Sequence, residues 1–199
     1  MMIKKAQLQE LILQSLEHEK GGVKIYEMAL TCAISKDLHE EWQEYLEQTE
    51  RHVQILENVC RDLQIDSKER SPGKDVVRHI GASLLKAMQL AKESSSPDAA
   101  QLVACECVVL AETKDHANWQ LLEKCSEELK GSEKKVLEAA CDEVEDEEDE
   151  HLYHTTGWCR ELWLDSLGLA AVLPPPEERK NVKTAIGASR AQQASERAR

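Results

Sequence analysis

The sequence predicts an all-α fold of four long helices arranged as two antiparallel hairpins, with a short fifth helix in the connection between them. Three observations carry this. Apolar residues recur at three- and four-residue spacing through nearly the whole chain. The four long helices are separated at only three places before residue 167. The first and last breaks are very short, so each joins antiparallel neighbours, whereas the middle one is long enough to carry the chain back across the bundle.

The first helix is expected over 3–34, ending before Ser35. The second starts after Ser35 or Asp37, with Glu40 placed for a capping box, and runs to about residue 65. SKERSPGK at 67–74 reads as a linker, and Val76, Val77, Ile80, Leu84 and Met88 mark a shorter amphipathic helix over 75–93. The Ser-Ser-Ser-Pro-Asp run at 94–98 supplies an N-cap and a first-turn proline for the next helix, which reaches about residue 130. Gly131 and Ser132 stop that helix and start another, running to 167. Residues 1–167 therefore form the bundle. Residues 168–199, with Pro174–Pro176 and an Ala/Ser/Gln/Arg-rich stretch, form a C-terminal tail.

Composition narrows the class. Phe is absent and aromatics make up only 4% of the chain, so the core must rest on Leu, Val, Ile, Ala and Cys. The net charge of −13 disfavours nucleic acid and anionic membranes as partners and favours cations. The seven cysteines form no Cys-x-x-Cys pair, which argues against a disulfide framework or a zinc knuckle; they read as small reduced core residues. No apolar run has the length of a signal h-region or a membrane span, so a cytoplasmic protein is expected.

The seams of the four long helices carry the chemistry. The first reads Leu8, Ile12, Ser15, Glu19, Gly22, Tyr26, Ala29. The second reads Leu38, Trp42, Tyr45, Thr49, His52, Leu56, Val59. The third reads Leu102, Cys105, Val109, Glu112, His116, Trp119, Leu122. The fourth reads Leu137, Cys141, Val144, Glu148, His151, Thr155, Trp158. Each is apolar at its ends and polar near its midpoint. With about 1.5 Å of rise per residue, antiparallel packing brings the polar sets to one level. An unpaired buried carboxylate costs several kcal/mol. Three glutamates and three histidines at one height therefore call for a cation between them, which makes Glu19, His52, Glu112, His116, Glu148 and His151 candidate metal ligands. Protonated histidine–glutamate pairs are the alternative source of compensation. In the acid-rich run DEVEDEEDE at 142–150, Glu148 falls on the seam and most of the others face water. His18, His39 and His79 lie off the seams and read as surface residues, and Tyr26 and Trp119 read as core aromatics.

This pattern resembles the ferritin-like superfamily, closest to its rubrerythrin and bacterioferritin branches, over roughly residues 5–165. The family places one Glu on each of two helices and Glu-x-x-His on each of the other two. Glu19 in SLEHEKGG and Glu112 in VLAETKDH are similar to the single glutamates, and Glu148-x-x-His151 matches the full motif. The second helix departs, with Thr49 standing where a glutamate is expected, three residues before His52. His116 is an extra seam ligand. The resemblance implies a ferritin-like four-helix bundle holding Fe, or Mn, as one or two ions, and a di-iron oxidoreductase of ferroxidase or peroxidase type acting on dioxygen or peroxide. A homodimer is expected. With no Cys-x-x-Cys module, the reductant comes from elsewhere. The competing expectation is a non-catalytic helical scaffold or interaction protein with a degenerate metal site.

Overall fold

A computed structural model describes residues 3–170, and the predicted tail lies outside the described residues from 171 onward. The described chain is all-helical. Its five helices are α1 (Lys5–Leu30), α2 (Lys36–Asp62), α3 (Pro72–Ser94), α4 (Pro97–Glu128) and α5 (Gly131–Ser166). None is long and apolar enough to cross a membrane.

Local chemistry sets most of the boundaries. The Ser71 and Ser96 side chains accept from the backbone N–H groups of Lys74 and Ala99, and Pro72 and Pro97 occupy the first turns that follow. α3 thus begins inside the segment expected to be a linker. The capping box expected at the start of α2 does not form: Ser35 is the N-cap, but its side chain caps nothing. Instead the Gln101 side-chain oxygen accepts from both Ile34 N–H and Ser35 N–H at 2.8 Å, tying the α1–α2 turn to α4. Gly131 adopts φ +63° at the α4–α5 turn, a left-handed conformation that other residues take only under strain.

Side-chain pairings give the helix directions. Glu19 faces His52 and Tyr26 faces Tyr45, so α1 and α2 are antiparallel. Cys105 meets Thr155 and His116 meets Asp149, so α4 and α5 are antiparallel. Tyr45 with His154 and His52 with Glu147 set α2 against α5 in the same sense. Tyr26 with Glu112 and Glu19 with Trp119 do the same for α1 and α4. α2 and α4 therefore run the same way, and the chain must return along its own length between them. α3 does this, lying against α1 and α4 and parallel to α1, with Gly73 N–H bonded to Glu10 and Arg78 to Glu17.

The buried side chains form two apolar cores. One contains Leu8, Ile12, Leu16, Leu56, Val59, Leu122, Leu137 and Val144. The other contains Ile25, Ala29, Leu38, Trp42, Ala104, Val108 and Trp158. All seven cysteines are free, and five of them are buried. Leu122 is fully buried in the first core. Truncating it, Leu122→Ala, is expected to lower unfolding stability by about 2–5 kcal/mol, measured by denaturant titration, because the helix backbones around the lost isobutyl group cannot close over it.

Candidate metal centre

A layer of polar side chains separates the two cores. Glu19 comes from α1, Thr49 and His52 from α2, Glu112 and Asp115 from α4, and Glu148 and His151 from α5. None of the five Glu and His residues among them is more than 3% exposed.

Their outer atoms are fixed by direct partners. Trp119 Nε1–H donates to Glu19 Oε1 at 2.7 Å, and the Tyr26 hydroxyl donates to Glu112 Oε1 at 2.8 Å. The exchange is reciprocal: α4 supplies the donor for the carboxylate of α1, and α1 supplies it for that of α4. The same crossing holds between α2 and α5. His52 Nε2 lies 2.8 Å from Glu147 Oε2, and His151 Nε2 lies 2.6 Å from Gln48 Oε1. Both partners accept, so each Nε2 carries the proton and donates. In the neutral ring this leaves the Nδ1 lone pair turned inward. Arg51 pairs with Glu147 on its solvent side.

The inner atoms have no such partners. Glu19 Oε2, Glu112 Oε2, both oxygens of Glu148, and Nδ1 of His52 and His151 are buried and make no hydrogen bond. Such groups are ordinarily few in a folded chain. The groups are close together: His52 Nδ1 is 3.5 Å from Glu19 Oε1, the oxygen that also accepts from Trp119, and 3.1 Å from Glu148 Oε1, and His151 Nδ1 is 3.5 Å from Glu112 Oε2 and 3.8 Å from the same Glu148 oxygen. The two imidazoles are stacked with ring centres 5.7 Å apart. Two triads of mutually close donor atoms result, Glu19–His52–Glu148 and Glu112–Glu148–His151, sharing Glu148. Comparison with protein-family models, with curated proteins and with solved structures finds no match for this chain.

The electrostatics are those of acidic groups crowded together out of water. Burial, reinforced by Glu19 and Glu112, raises the Glu148 carboxyl to about 7 despite the nearby imidazoles. Burial opposes charging of His52, but Glu19, Glu147 and Glu148 outweigh it and hold the imidazole up at about 12. His151 is raised in the same way by Glu112 and Glu148. Burial would raise Glu112, but His151 and the Tyr26 hydroxyl bring it below its ordinary value. The hydrogen bond from His52, then Arg51, lowers Glu147.

Five of the six candidate ligands predicted from sequence converge in this layer. His116 does not join them. Its Nδ1 lies 3.4 Å from Asp149, its Nε2 lies 2.9 Å from the Gln120 side chain, and its ring packs against Tyr153. α4 turns Asp115 inward instead, a residue that the seam pattern does not single out. Spacings of three and four both continue a helical seam, and at this point the helix takes the three. The signal was in the α1 seam: Glu19, Gly22 and Tyr26 have the same spacing as Glu112, Asp115 and Trp119. Burial, then the charges of Glu19, Glu148 and Glu112, push the Asp115 carboxyl well above its ordinary range. His18 is another difference, buried between α1 and α4 with Nε2 3.0 Å from the Ala111 carbonyl oxygen. Tyr26 and Trp119 are core aromatics as expected, but their polar ends hold the site carboxylates.

At the position of the missing glutamate, Thr49 bonds back to the Tyr45 carbonyl at 2.8 Å. A Cβ on Gly22 would lie 3.2 Å from the Thr49 methyl, so α1 and α2 approach closely there.

Tyr26→Phe and Trp119→Phe remove one fixed donor each while keeping an aromatic ring in the core. Each is expected to weaken cation binding roughly tenfold, measured by competition with a chelating dye, because the freed carboxylate loses its orientation.

Proposed function

We propose that the chain is a ferritin-like metal protein that holds two divalent cations, iron or manganese, and acts as an oxidoreductase on dioxygen or peroxide. The observation that carries this is the convergence of five buried Glu and His side chains from four helices into two triads sharing Glu148, with six of their polar atoms free of hydrogen bonds. The helix directions, with two hairpins and α3 as the crossover, also suit a ferritin-like bundle.

The residues fit the group. Glu19 and His52 would hold one cation, Glu112 and His151 the other, with Glu148 between them. Carboxylate and imidazole donors without thiolate suit iron or manganese. Bound iron would supply the electrons that reduce the oxidant. The chain's own residues do the rest. Glu147 and Gln48 hold the imidazoles by Nε2, Trp119 and Tyr26 aim the outer carboxylates, and the two apolar cores keep bulk water from the layer. With Thr49 in place of a fourth glutamate, the cations would be less fully neutralised than in the usual family pattern, and one side of the pair less crowded by ligands.

The raised imidazoles support a second reading. With His52 and His151 protonated, the layer is largely balanced by protons alone, as a metal-free scaffold would need. Anaerobic loading with Fe(II), followed by elemental analysis and then exposure to air, separates the two. About two iron atoms per chain and growth of ferric absorbance are expected. Protein that retains no stoichiometric iron and whose melting temperature is unmoved by iron or manganese is the scaffold.

A further inference from the structure

A cavity of 290 Å³ lies where α3 packs against α1 and α4, and it includes no residue of the two triads. That volume is near the lower end of the range for small-molecule sites, about 300–1,000 Å³. Its walls are largely aliphatic, and Ile80 and Leu110 stand half-exposed at its lips, at 51% and 60%. Gly21 and Gly81 open it. Each is interior to its helix, where glycine costs about 1 kcal/mol relative to alanine. A Cβ built on either meets nothing within 4 Å. Two costly glycines thus coincide with open space in one groove.

The groove also reverses the charge of the molecule. The chain carries a net −13, yet this lining has Lys20, Lys24, Arg78 and Lys114 against the single acid Glu17. Lys20 is neutralised by Glu57 at 2.6 Å, and Arg78 by Glu17 at 2.8 Å and Asp75 at 3.1 Å. Among the described residues, Lys24 and Lys114 form no ion pair, and Lys114 reaches only the Asn118 side-chain oxygen. An apolar slot edged by unneutralised ammonium groups is complementary to an alkyl chain with an anionic end.

We propose that this groove binds a single-chain anionic amphiphile of the medium-chain fatty carboxylate class, its alkyl chain lying over Gly21 and Gly81 and its carboxylate meeting the rim that carries Lys24 and Lys114. This is independent of the metal centre.

Calorimetric titration of the full chain with hexanoate, octanoate, decanoate and decanol tests it. Affinity is expected to rise roughly fourfold per methylene, with decanol at least tenfold weaker than decanoate. Gly81→Leu fills the groove with a better helix former and should abolish decanoate binding while leaving helical circular dichroism and iron content unchanged. The Lys24→Gln, Lys114→Gln double variant should erase the difference between decanoate and decanol. Absence of saturable decanoate binding overturns the proposal, as does decanoate binding that survives Gly81→Leu. A groove that binds no decanoate, with Gly81→Leu changing only the oligomeric state, belongs to a second copy. One that binds only anionic phospholipid vesicles belongs to a membrane surface.

Discussion

Glu148→Gln is expected to abolish loading of both cations, whereas Glu19→Gln removes only one. Glu148 is the carboxylate common to the two triads, and both its oxygens are buried without a hydrogen bond. The amide keeps the shape but removes the charge, and it places an N–H₂ group where a second anionic oxygen is needed. Affinity should fall roughly a hundredfold or more, and metal content after Fe(II) loading should drop below one atom per chain. Glu19 belongs to one triad, so Glu19→Gln should keep about one cation, bound through Glu112, Glu148 and His151. Equal losses from the two variants would break the idea of a shared carboxylate.

The same substitution should act in the opposite direction on the metal-free fold. Glu148 has its carboxyl raised to about 7 in the folded chain, from an ordinary 4.5. A group whose folded pKa is raised contributes stability that is complete below its unfolded value and is lost as pH rises through the folded one. Metal-free wild type should therefore lose stability between about pH 4.5 and 7 on account of this carboxyl. His52 does not cancel the loss, because its contribution, held up to about 12, persists across that window. Glu148→Gln has no charge to bury, so the metal-free variant should melt several degrees above wild type at pH 8 and close to it at pH 5. A site that weakens the bare protein while binding cations is what a functional constellation, rather than a stabilising network, produces.

The seam pattern made much of this layer readable in advance, because apolar ends and a polar middle recur on four separate helices. Glu19, His52, Glu112, Glu148 and His151 were each legible as a polar residue on an otherwise buried stripe. Pairings across the bundle were not. Gln48 and Glu147 sit one residue off the seam, and in a Glu- and Gln-rich chain nothing local marks them as the groups that orient His151 and His52. Asp115 and His116 were exchanged because adjacent residues differ by about 100° around a helix, and the seam tolerates either step. The helix count and order were legible from break lengths. The start of α3 was not, since Ser71 and Pro72 read equally as linker and as cap until the Lys74 N–H is seen to bond the serine hydroxyl.

Loading the centre should also release protons, and this separates it most sharply from a surface cluster that merely attracts cations. At pH 7 the folded metal-free chain holds His52 protonated, His151 raised toward protonation, and Glu148 near half-protonated. Coordination requires a bare Nδ1 on each imidazole and an ionised Glu148. About two to three protons must therefore leave for full occupancy, and apparent affinity should fall by roughly that many powers of ten per pH unit on acidification from 8 to 6. Calorimetric titration with Mn(II) in two buffers of different ionisation enthalpy counts these protons directly. A carboxylate in open water ordinarily titrates near pH 4, so an exposed acidic cluster binds Mn(II) with almost no proton release and with affinity eroded by salt. A proton count near zero would assign the observed binding to that acidic surface and leave the buried layer without its cations.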